Sequence, residues 1–333
     1  MERYSNVVAH IQSVLPPDTR PSLSRSVIPT IIHCIDGIAQ ALRTSHQVSL
    51  AGTANSFGDD QLNVDVLAER IIRDEIAKCP SIATASSEEE PTERPSRETE
   101  SAAHSESSEV YTLAFDPLDG SSIIAPNWTV GTIVGIWDGA SALHQTPSEK
   151  QIAAILGVYG PRTTAIIAIR VPGSTPTCFE VGLGGKDGEA TCEIVRSKVE
   201  LLSPPFKTRY FAPANLRAAA EDEKYMKLVT HYIQQKYTLR YSGGLVPDVV
   251  HMLVKGHGIY VSPVTTTSKA KLRRLYELTP IALIMECAGA SAVDPVTGKG
   301  ILEEPVGDCD ERGGLICGTA DEVSFVLRSF GLQ

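Results

Sequence analysis

Two aspartates three positions apart lie at the end of an apolar run and are followed at once by glycine and two serines. The segment reads Phe115-Asp116-Pro117-Leu118-Asp119-Gly120-Ser121-Ser122. The apolar residues 111–115 predict a buried strand that ends just before Asp116. Hard divalent cations such as Mg²⁺ prefer carboxylate oxygens and complete their shell with water and phosphate. A Gly-Ser-Ser turn can direct backbone N–H groups at an anion. The pattern therefore predicts phosphate chemistry assisted by a metal ion.

Other acidic residues lie where the sequence pattern changes, and they are candidates to join the two aspartates: Asp59, Asp65, Glu88, Glu89 and Glu277. Each has a simpler explanation when it is taken alone. Asp65 could serve only as a negative charge at a helix N-terminus, and the two adjacent glutamates could be solvated surface residues. Glu277, which lies in a mostly apolar segment, could be half-exposed. The residue types alone leave these alternatives open.

The elements that must position these side chains alternate between helical and extended patterns. Apolar spacing predicts helices at 24–42, with Pro29 in the first turn, at 64–76, 218–235, 247–255 and 271–289, and after a Thr319–Glu322 capping box. Strands are predicted at 82–85, 129–137, 152–159, 163–171 and 258–261, and a hairpin at 178–195. This alternation predicts layered α/β packing. We place a subdomain boundary between residues 203 and 204, and predict a mobile acidic loop at 90–108.

Composition narrows the classes of partner and compartment. The chain has 333 residues and a formal net charge of −10, which argues against nucleic acid or an anionic membrane as a partner. No apolar stretch approaches the roughly 20 residues that span a bilayer. The first 15 residues lack the features of a secretory or transit peptide, so we expect a cytoplasmic protein. Its seven scattered cysteines are expected to be reduced thiols.

Taken together, Asp65, Ser87-Glu88-Glu89, the segment 116–122 and Glu277 resemble the metal-site motif of the fructose-1,6-bisphosphatase family. That family is part of the Mg²⁺-dependent, lithium-sensitive sugar and inositol phosphatases, and the resemblance covers nearly the whole chain. It implies a layered α-β-α-β-α sandwich that hydrolyses a sugar bisphosphate.

Within the family, segments 55–59, 159–163, 211–217 and 237–244 resemble the branch that acts on sedoheptulose 1,7-bisphosphate more closely than the fructose branch. The implied reaction releases the 1-phosphate and leaves sedoheptulose 7-phosphate. Fructose 1,6-bisphosphate, alone or in addition, is the alternative substrate. An inositol-type monophosphatase fits less well, because Arg240-Tyr241 and Lys271-Leu272-Arg273 imply a second phosphate. A metabolite-binding relative that has lost catalysis is a remote alternative.

The resemblance also implies roles for individual residues. The ligands of two or three Mg²⁺ ions, for which Mn²⁺ can substitute, would be Glu88, Asp116, the Leu118 carbonyl, Asp119 and Glu277. The residues that position or deprotonate the attacking water would be Asp65, Glu89 and Asp59. The 1-phosphate would meet the N–H groups of Gly120, Ser121 and Ser122, and the sugar with its distal phosphate would meet Asn215, Arg240, Tyr241 and Lys271. Because this arginine crosses from a neighbouring subunit in the family, a homodimer or homotetramer is implied.

The chain also departs from the family pattern. Ala218 and Ser262 stand where fructose-1,6-bisphosphatases usually have tyrosines against the distal phosphate. The loss of two phenol groups either makes room for a seven-carbon sugar or simply weakens binding of the distal phosphate. Val110-Tyr111 replaces a Lys-Tyr pair, so we expect no inhibition by AMP. The cysteine motif of the light-regulated plastid enzymes is replaced by Ala51-Gly52-Thr53-Ala54, so we expect no thioredoxin control.

Overall fold

The computed structural model describes residues 2–54, 60–97, 109–186 and 189–332. The helices are α1 (Ser5–Val14), α2 (Ile28–Thr44), α3 (Asn63–Ile76), α4 (Ser121–Ile124), α5 (Pro147–Lys150), α6 (Glu223–Gln234), α7 (Leu245–Lys255), α8 (Thr279–Cys287) and α9 (Ala320–Phe330). The strands of the N-terminal half are β1 (Leu50–Ala54), β2 (Asp60–Leu62), β3 (Ile82–Ser87), β4 (Arg94–Pro95), β5 (Tyr111–Asp119), β6 (Val130–Asp138), β7 (Gln151–Tyr159), β8 (Thr163–Ile169), β9 (Thr177–Lys186) and β10 (Glu189–Arg196). Those of the C-terminal half are β11 (Tyr210–Pro213), β12 (Thr238–Leu239), β13 (Ile259–Ser262), β14 (Leu272–Arg273), β15 (Ser291–Val293), β16 (Arg312–Gly313) and β17 (Leu315–Gly318).

Eight of the described strands form one sheet in the order β10-β9-β8-β7-β6-β5-β3-β4. Neighbouring strands are antiparallel except β3 and β5, which run parallel. The central strands β5, β7 and β8 are buried along their whole length. Their sequences are almost continuously apolar because both faces of the sheet are covered. A smaller sheet has the order β12-β11-β13-β17-β15.

Three apolar clusters show how the described elements are layered. One cluster packs α1, α2 and α3 on one face of the large sheet. A second fills the space between the other face of that sheet and the small sheet, with α7 and α8 inside it. The third packs α6 and α9 on the outer face of the small sheet. The order is therefore α-β-α-β-α, and the predicted fold class is confirmed.

The second cluster contains side chains from both halves of the chain, such as Ile133 and Ala154 from the large sheet with Val246 and Ile281 from helices beyond residue 203. The subdomain boundary between residues 203 and 204 stays a prediction. All seven cysteines are unpaired, and six of them are buried. Within the described residues, no helix is both long enough and apolar enough to cross a bilayer.

The strand predicted for residues 111–115 continues through the carboxylate motif, so the prediction that it stops before Asp116 is wrong. β5 ends at Asp119, and its last residues pair with β6. Three steps along β5, from Asp116 to Asp119, match two steps along β6, from Ile133 to Gly131. One extra residue therefore bulges from β5 at the motif.

Several predicted helices begin elsewhere because tertiary contacts override the local pattern. The segment at 271–289 starts as β14, which pairs with β16, and becomes helical only from the π turn Arg274–Leu278 into α8. Residues 218–235 are divided into a 3₁₀ turn and α6, whose N-cap is Asp222. The helix predicted at 24–42 is preceded by a π turn, Leu23–Val27, and α2 itself begins at Ile28, so Pro29 lies in its first turn as predicted. The wider π turn before α2 suits Pro29, which has no N–H to donate.

One further local prediction is corrected. Thr319 precedes α9 as predicted, but its side chain makes no capping hydrogen bond, and Glu322 accepts a hydrogen bond from Tyr237 instead. At the start of the acidic loop Arg94–Pro95 pairs with β3, and Glu93 accepts hydrogen bonds from Ser141 and Ala142. The mobility of the loop stays a prediction. Residues 98–108 of that loop lie outside the described residues.

Candidate active site

The bulge in β5 determines where the two aspartates point. Residues an odd number of positions apart on a regular strand face opposite sides of the sheet. The extra residue between Asp116 and Asp119 cancels this alternation, so both carboxyl groups reach the same side. The Leu118 N–H donates to Asp116 Oδ1 over 2.9 Å, which holds the bulge and fixes that carboxyl group. Leu118 itself is buried beside them.

Glu277 joins the pair from the π turn that precedes α8. Ligand oxygens of Asp116, Asp119 and Glu277 all lie within 4.8 Å of one another, and the three side chains are buried. The Arg273 backbone N–H donates to Glu277 Oε2 over 2.5 Å. Three buried carboxylates at this spacing can hold a hard divalent cation such as Mg²⁺.

The electrostatics of the cluster favour a cation. Burial and the charges of neighbouring carboxylates raise the pKa values of Asp116 and Glu277 well above their usual range. Burial raises the pKa of Asp119 to about 7, although two backbone N–H groups oppose the shift. The Glu88 charge contributes to all three shifts, which places Glu88 at the edge of the cluster. A bound cation would relieve this repulsion, so the donor set fits a metal ion.

Helix α7 holds Asp119 from the opposite side. Its first two N–H groups, on Leu245 and Val246, donate to Asp119 Oδ1 and Oδ2 over 3.2 and 2.7 Å. A carboxylate at a helix N-terminus is stabilised by the unpaired N–H groups and the helix dipole. The approach requires glycine at position 131 of β6, because a Cβ there would lie 2.4 Å from a Val246 methyl carbon. The helix therefore fixes the Asp119 carboxylate.

The residues predicted to act on water lie beside the cluster. The Leu62 N–H donates to Asp65 Oδ2 over 3.0 Å, and the Ser121 hydroxyl lies 3.5 Å from Asp65 Oδ1. Burial raises the pKa of Asp65 to about 6. Gln61 Nε2 donates to Glu89 Oε2 over 2.5 Å, and burial raises the pKa of Glu89 to about 7. Asp59 lies outside the described residues.

The turn predicted to bind phosphate, residues 120–122, follows the cluster directly. Gly120 has a φ of 107° and a Cβ there would lie 2.9 Å from Val130, so a side chain is disfavoured by both backbone and space. Ser121 and Ser122 open the short helix α4 and are exposed. The turn therefore presents its two serines to solvent at the edge of the carboxylate cluster.

The residues predicted to bind the sugar are divided between two places. Asn215 has a φ of 49° and donates through Nδ2 to the Pro263 carbonyl over 3.1 Å. Burial raises the pKa of Tyr241, and a hydrogen bond from the Asn215 main chain opposes the shift, so the Tyr241 side chain lies beside the Asn215 backbone. Arg240 and Tyr241 line a cavity of about 730 Å³ whose walls include none of the three clustered carboxylates. Lys271 is exposed.

Arg273 and two residues without a predicted role also support the site. Arg273, predicted with Lys271 to indicate a second phosphate, is instead fully buried and donates to Glu88 and Asp310, so it lies against the carboxylates. Asp248 of α7 accepts hydrogen bonds from the N–H groups of Ser242 and Gly243, directly after Arg240-Tyr241. A Ser-Gly-Gly turn before an apolar helix was the available signal for Asp248. Local sequence offered no signal that would bring Asp310 to Arg273.

Comparison with known proteins agrees with this geometry. The family model for the N-terminal domain of fructose-1-6-bisphosphatase matches residues 19–184, and the model for its C-terminal domain matches residues 205–330. The chain belongs to the fructose-1,6-bisphosphatase family. The predicted resemblance is therefore confirmed, and the chain is a hydrolase that releases phosphate from a sugar bisphosphate.

Members of both branches of the fructose-1,6-bisphosphatase family resemble this chain. The chloroplastic sedoheptulose-1,7-bisphosphatase of Chlamydomonas reinhardtii is 39% identical over 311 residues, which are 89% of this chain and 72% of that protein. A class 1 fructose-1,6-bisphosphatase of Syntrophotalea carbinolica is 34% identical over 308 residues, 88% of this chain and 87% of its own. A crystal structure from Toxoplasma gondii, provisionally named as a sedoheptulose-1,7 bisphosphatase, superimposes with a TM-score of 0.83 at 32% identity and 98% coverage of both chains.

Proposed function

We propose that this member of the family hydrolyses the 1-phosphate of sedoheptulose 1,7-bisphosphate in a Mg²⁺-dependent reaction. The observation that carries the proposal is the buried cluster of Asp116, Asp119 and Glu277, whose oxygens lie within 4.8 Å of one another. The branch is supported by the 39% identity to the algal sedoheptulose enzyme, against 34% for the bacterial fructose enzyme. Fructose 1,6-bisphosphate is the second candidate substrate.

In this proposal the clustered carboxylates, with Glu88 and the Leu118 carbonyl, hold two or three Mg²⁺ ions, for which Mn²⁺ can substitute. Bound Mg²⁺ neutralises phosphate charge and lowers the pKa of a coordinated water. Glu89, with a pKa raised to about 7, takes a proton from the attacking water at Oε1, because Oε2 already accepts from Gln61. Asp65 orients that water from its place between Leu62 and Ser121. Asp59 would assist from the same side.

The rest of the substrate meets basic and polar groups. The N–H groups of Gly120, Ser121 and Ser122 receive the 1-phosphate. The sugar and the distal phosphate meet the remaining predicted residues: Asn215, Arg240, Tyr241 and Lys271. Arginine and lysine suit a phosphate dianion. Ala218 is buried in the apolar cluster that α6 and α9 cover, so only Ser262, which is half-buried, is placed to give room to a seven-carbon sugar.

We also propose that the protein is a homodimer or homotetramer. Arg240 is exposed and lines the 730 Å³ cavity rather than the carboxylate cluster, which is the placement expected of a side chain that serves a second copy. A cytoplasmic location, and no nucleic-acid or membrane partner, stay predictions from composition. Light scattering at several protein concentrations would test the oligomeric state.

The deciding experiment measures phosphate release with Mg²⁺ from sedoheptulose 1,7-bisphosphate, fructose 1,6-bisphosphate and inositol 1-phosphate. The proposal predicts the highest kcat/KM for the seven-carbon substrate. An equal or reversed preference would make this a fructose-type enzyme with the same chemistry. Asp119→Asn should abolish release from every substrate, and release that persists in that variant would overturn the assignment of the site.

A further inference from the structure

Arg273 is a fully buried cation in direct contact with the carboxylate cluster. Its side chain is 1% exposed, and its Nε donates to Glu88 Oε1 over 3.0 Å. Its backbone N–H donates to Glu277, so one residue touches two of the proposed metal ligands. A buried guanidinium requires anionic partners, because its desolvation is costly. An exclusive ion pair between Arg273 and Glu88 would weaken the binding of a metal ion, because the metal ion needs the same Glu88 carboxylate.

Asp310 is a further carboxylate partner of this guanidinium. Arg273 Nη1 donates to Asp310 Oδ1, so Arg273 contacts Asp310 as well as Glu88. The Asp310 side chain is 47% exposed, against 28% for Glu88. Its own N–H donates to Asp308 Oδ1 over 2.7 Å, an Asx turn that orders the loop.

The separate two-stranded sheet of β14 and β16 brings these charged groups together. The two strands pair Arg273 directly opposite Arg312, and like charges in that position repel. Asp310 Oδ1 also accepts from Arg312 Nε over 3.2 Å, so the carboxylate relieves the repulsion. The result is a line of alternating charges: Glu88, Arg273, Asp310 and Arg312.

We propose that Asp310 is a positioning residue that tunes cation binding at the active site through Arg273. Asp310 draws part of the Arg273 charge away from Glu88, so that Glu88 keeps its negative charge for the metal ion. Without Asp310, Arg273 attracts Glu88 more strongly, which weakens cation binding. Without Arg312, Asp310 attracts Arg273 more strongly, which strengthens cation binding. The proposal rests on cation binding at the cluster, which the wild-type protein tests separately.

The experiment titrates Mg²⁺ alone into the metal-free protein and follows the melting temperature. Asp310→Asn should raise the Mg²⁺ concentration for the half-maximal shift by about fivefold, the size expected from a partly exposed charged hydrogen bond. Asp310→Glu should restore most of the wild-type Mg²⁺ affinity. Arg312→Gln should lower the Mg²⁺ concentration for the half-maximal shift below that of wild type. Glu304→Gln removes the same charge from an exposed pair with Lys299 and should change nothing. In kinetics, Asp310→Asn should raise the Mg²⁺ requirement while leaving KM for the bisphosphate unchanged.

The outcomes separate the inference from the proposed function. If wild type shows no Mg²⁺-dependent shift, the proposed metal site fails and the inference fails with it. If wild type shifts but Asp310→Asn has the same midpoint, the inference alone is wrong. A rise in midpoint for both Asp310→Asn and Glu304→Gln would indicate only a long-range charge effect and would also overturn it. If Asp310→Asn does not fold, the midpoint of Arg312→Gln decides: a lower value supports the inference, and an equal or higher value overturns it.

Discussion

Replacing Glu277 by Gln should stabilise the metal-free protein and remove its response to Mg²⁺. Glu277 is buried with oxygens within 4.8 Å of Asp116 and Asp119. Two unit charges at that separation repel by about 3.5 kcal/mol at an effective dielectric constant of about 20. Glutamine has nearly the same shape and keeps an oxygen that can accept the Arg273 N–H. The substitution therefore removes repulsion without opening a cavity.

The size of the effect is limited by protonation. Protonating a carboxyl group at a pH above its usual pKa costs about 1.4 kcal/mol per pH unit, so the penalty that Glu277 can impose at pH 7.5 is at most about 4 kcal/mol. The lost attraction between Glu277 and the buried Arg273 offsets part of the gain. We expect a net stabilisation of about 1–3 kcal/mol, which corresponds to about 1–4 °C in Tm for a chain of this size.

The pH dependence of unfolding tests independently whether Glu277→Gln stabilises the metal-free protein. Burial and neighbouring carboxylates raise the folded-state pKa of Glu277 above its value in the unfolded chain. The metal-free wild type is therefore favoured at acid pH, where Glu277 is protonated, and loses stability as the pH rises through that raised pKa. The Tm difference between variant and wild type should be small at pH 5 and grow towards pH 8.

The assay is thermal unfolding in chelator, followed by addition of Mg²⁺. At a concentration 100 times its dissociation constant, Mg²⁺ should stabilise wild type by about 2.7 kcal/mol and Glu277→Gln by much less. Glu286→Gln is the matched control, since Glu286 lies at the end of the same helix in an ion pair with Arg170. The reasoning is refuted if Glu277→Gln is less stable than wild type in chelator at pH 8, or if it keeps the full response to Mg²⁺.

Three further predictions concern the supports of the site. Asp248→Asn replaces the acceptor of two turn N–H groups and should lower stability by about 1–3 kcal/mol. It should also raise KM more than it lowers kcat. Steady-state kinetics that give equal KM values for variant and wild type would contradict this. Gly131→Ala should cost about 1–3 kcal/mol in chemical denaturation because its Cβ meets Val246, whereas Gly184→Ala, with open space around it, should not. A cation must displace protons from groups such as Asp119, whose pKa is raised to about 7. The Mg²⁺ concentration for half-maximal activity should therefore fall as the pH rises from 6 to 8. A concentration that does not change with pH would argue against proton-linked binding.

The local pattern of the sequence was sufficient for much of the fold. The apolar spacing at residues 64–76 predicted α3 to within one residue, and the β-branched runs predicted β6, β7 and β8 closely. These segments are determined by the periodicity of their own side chains. The errors lie where a distant partner decides, as at Arg273, which pairs as a strand because residues 312–313 lie beside it.

The sequence by itself determined which chemistry was available, because Asp116, Asp119 and the glycine and serines after them combine ligands for a cation with a turn for an anion. Only the tertiary structure decided how those groups meet. A bulge that depends on pairing with β6 turns both aspartates to one side, and a helix that begins 126 residues later caps Asp119. Asp310 reaches Arg273 through strand pairing across 37 residues. Local sequence cannot encode such contacts, because they depend on how separate elements pack.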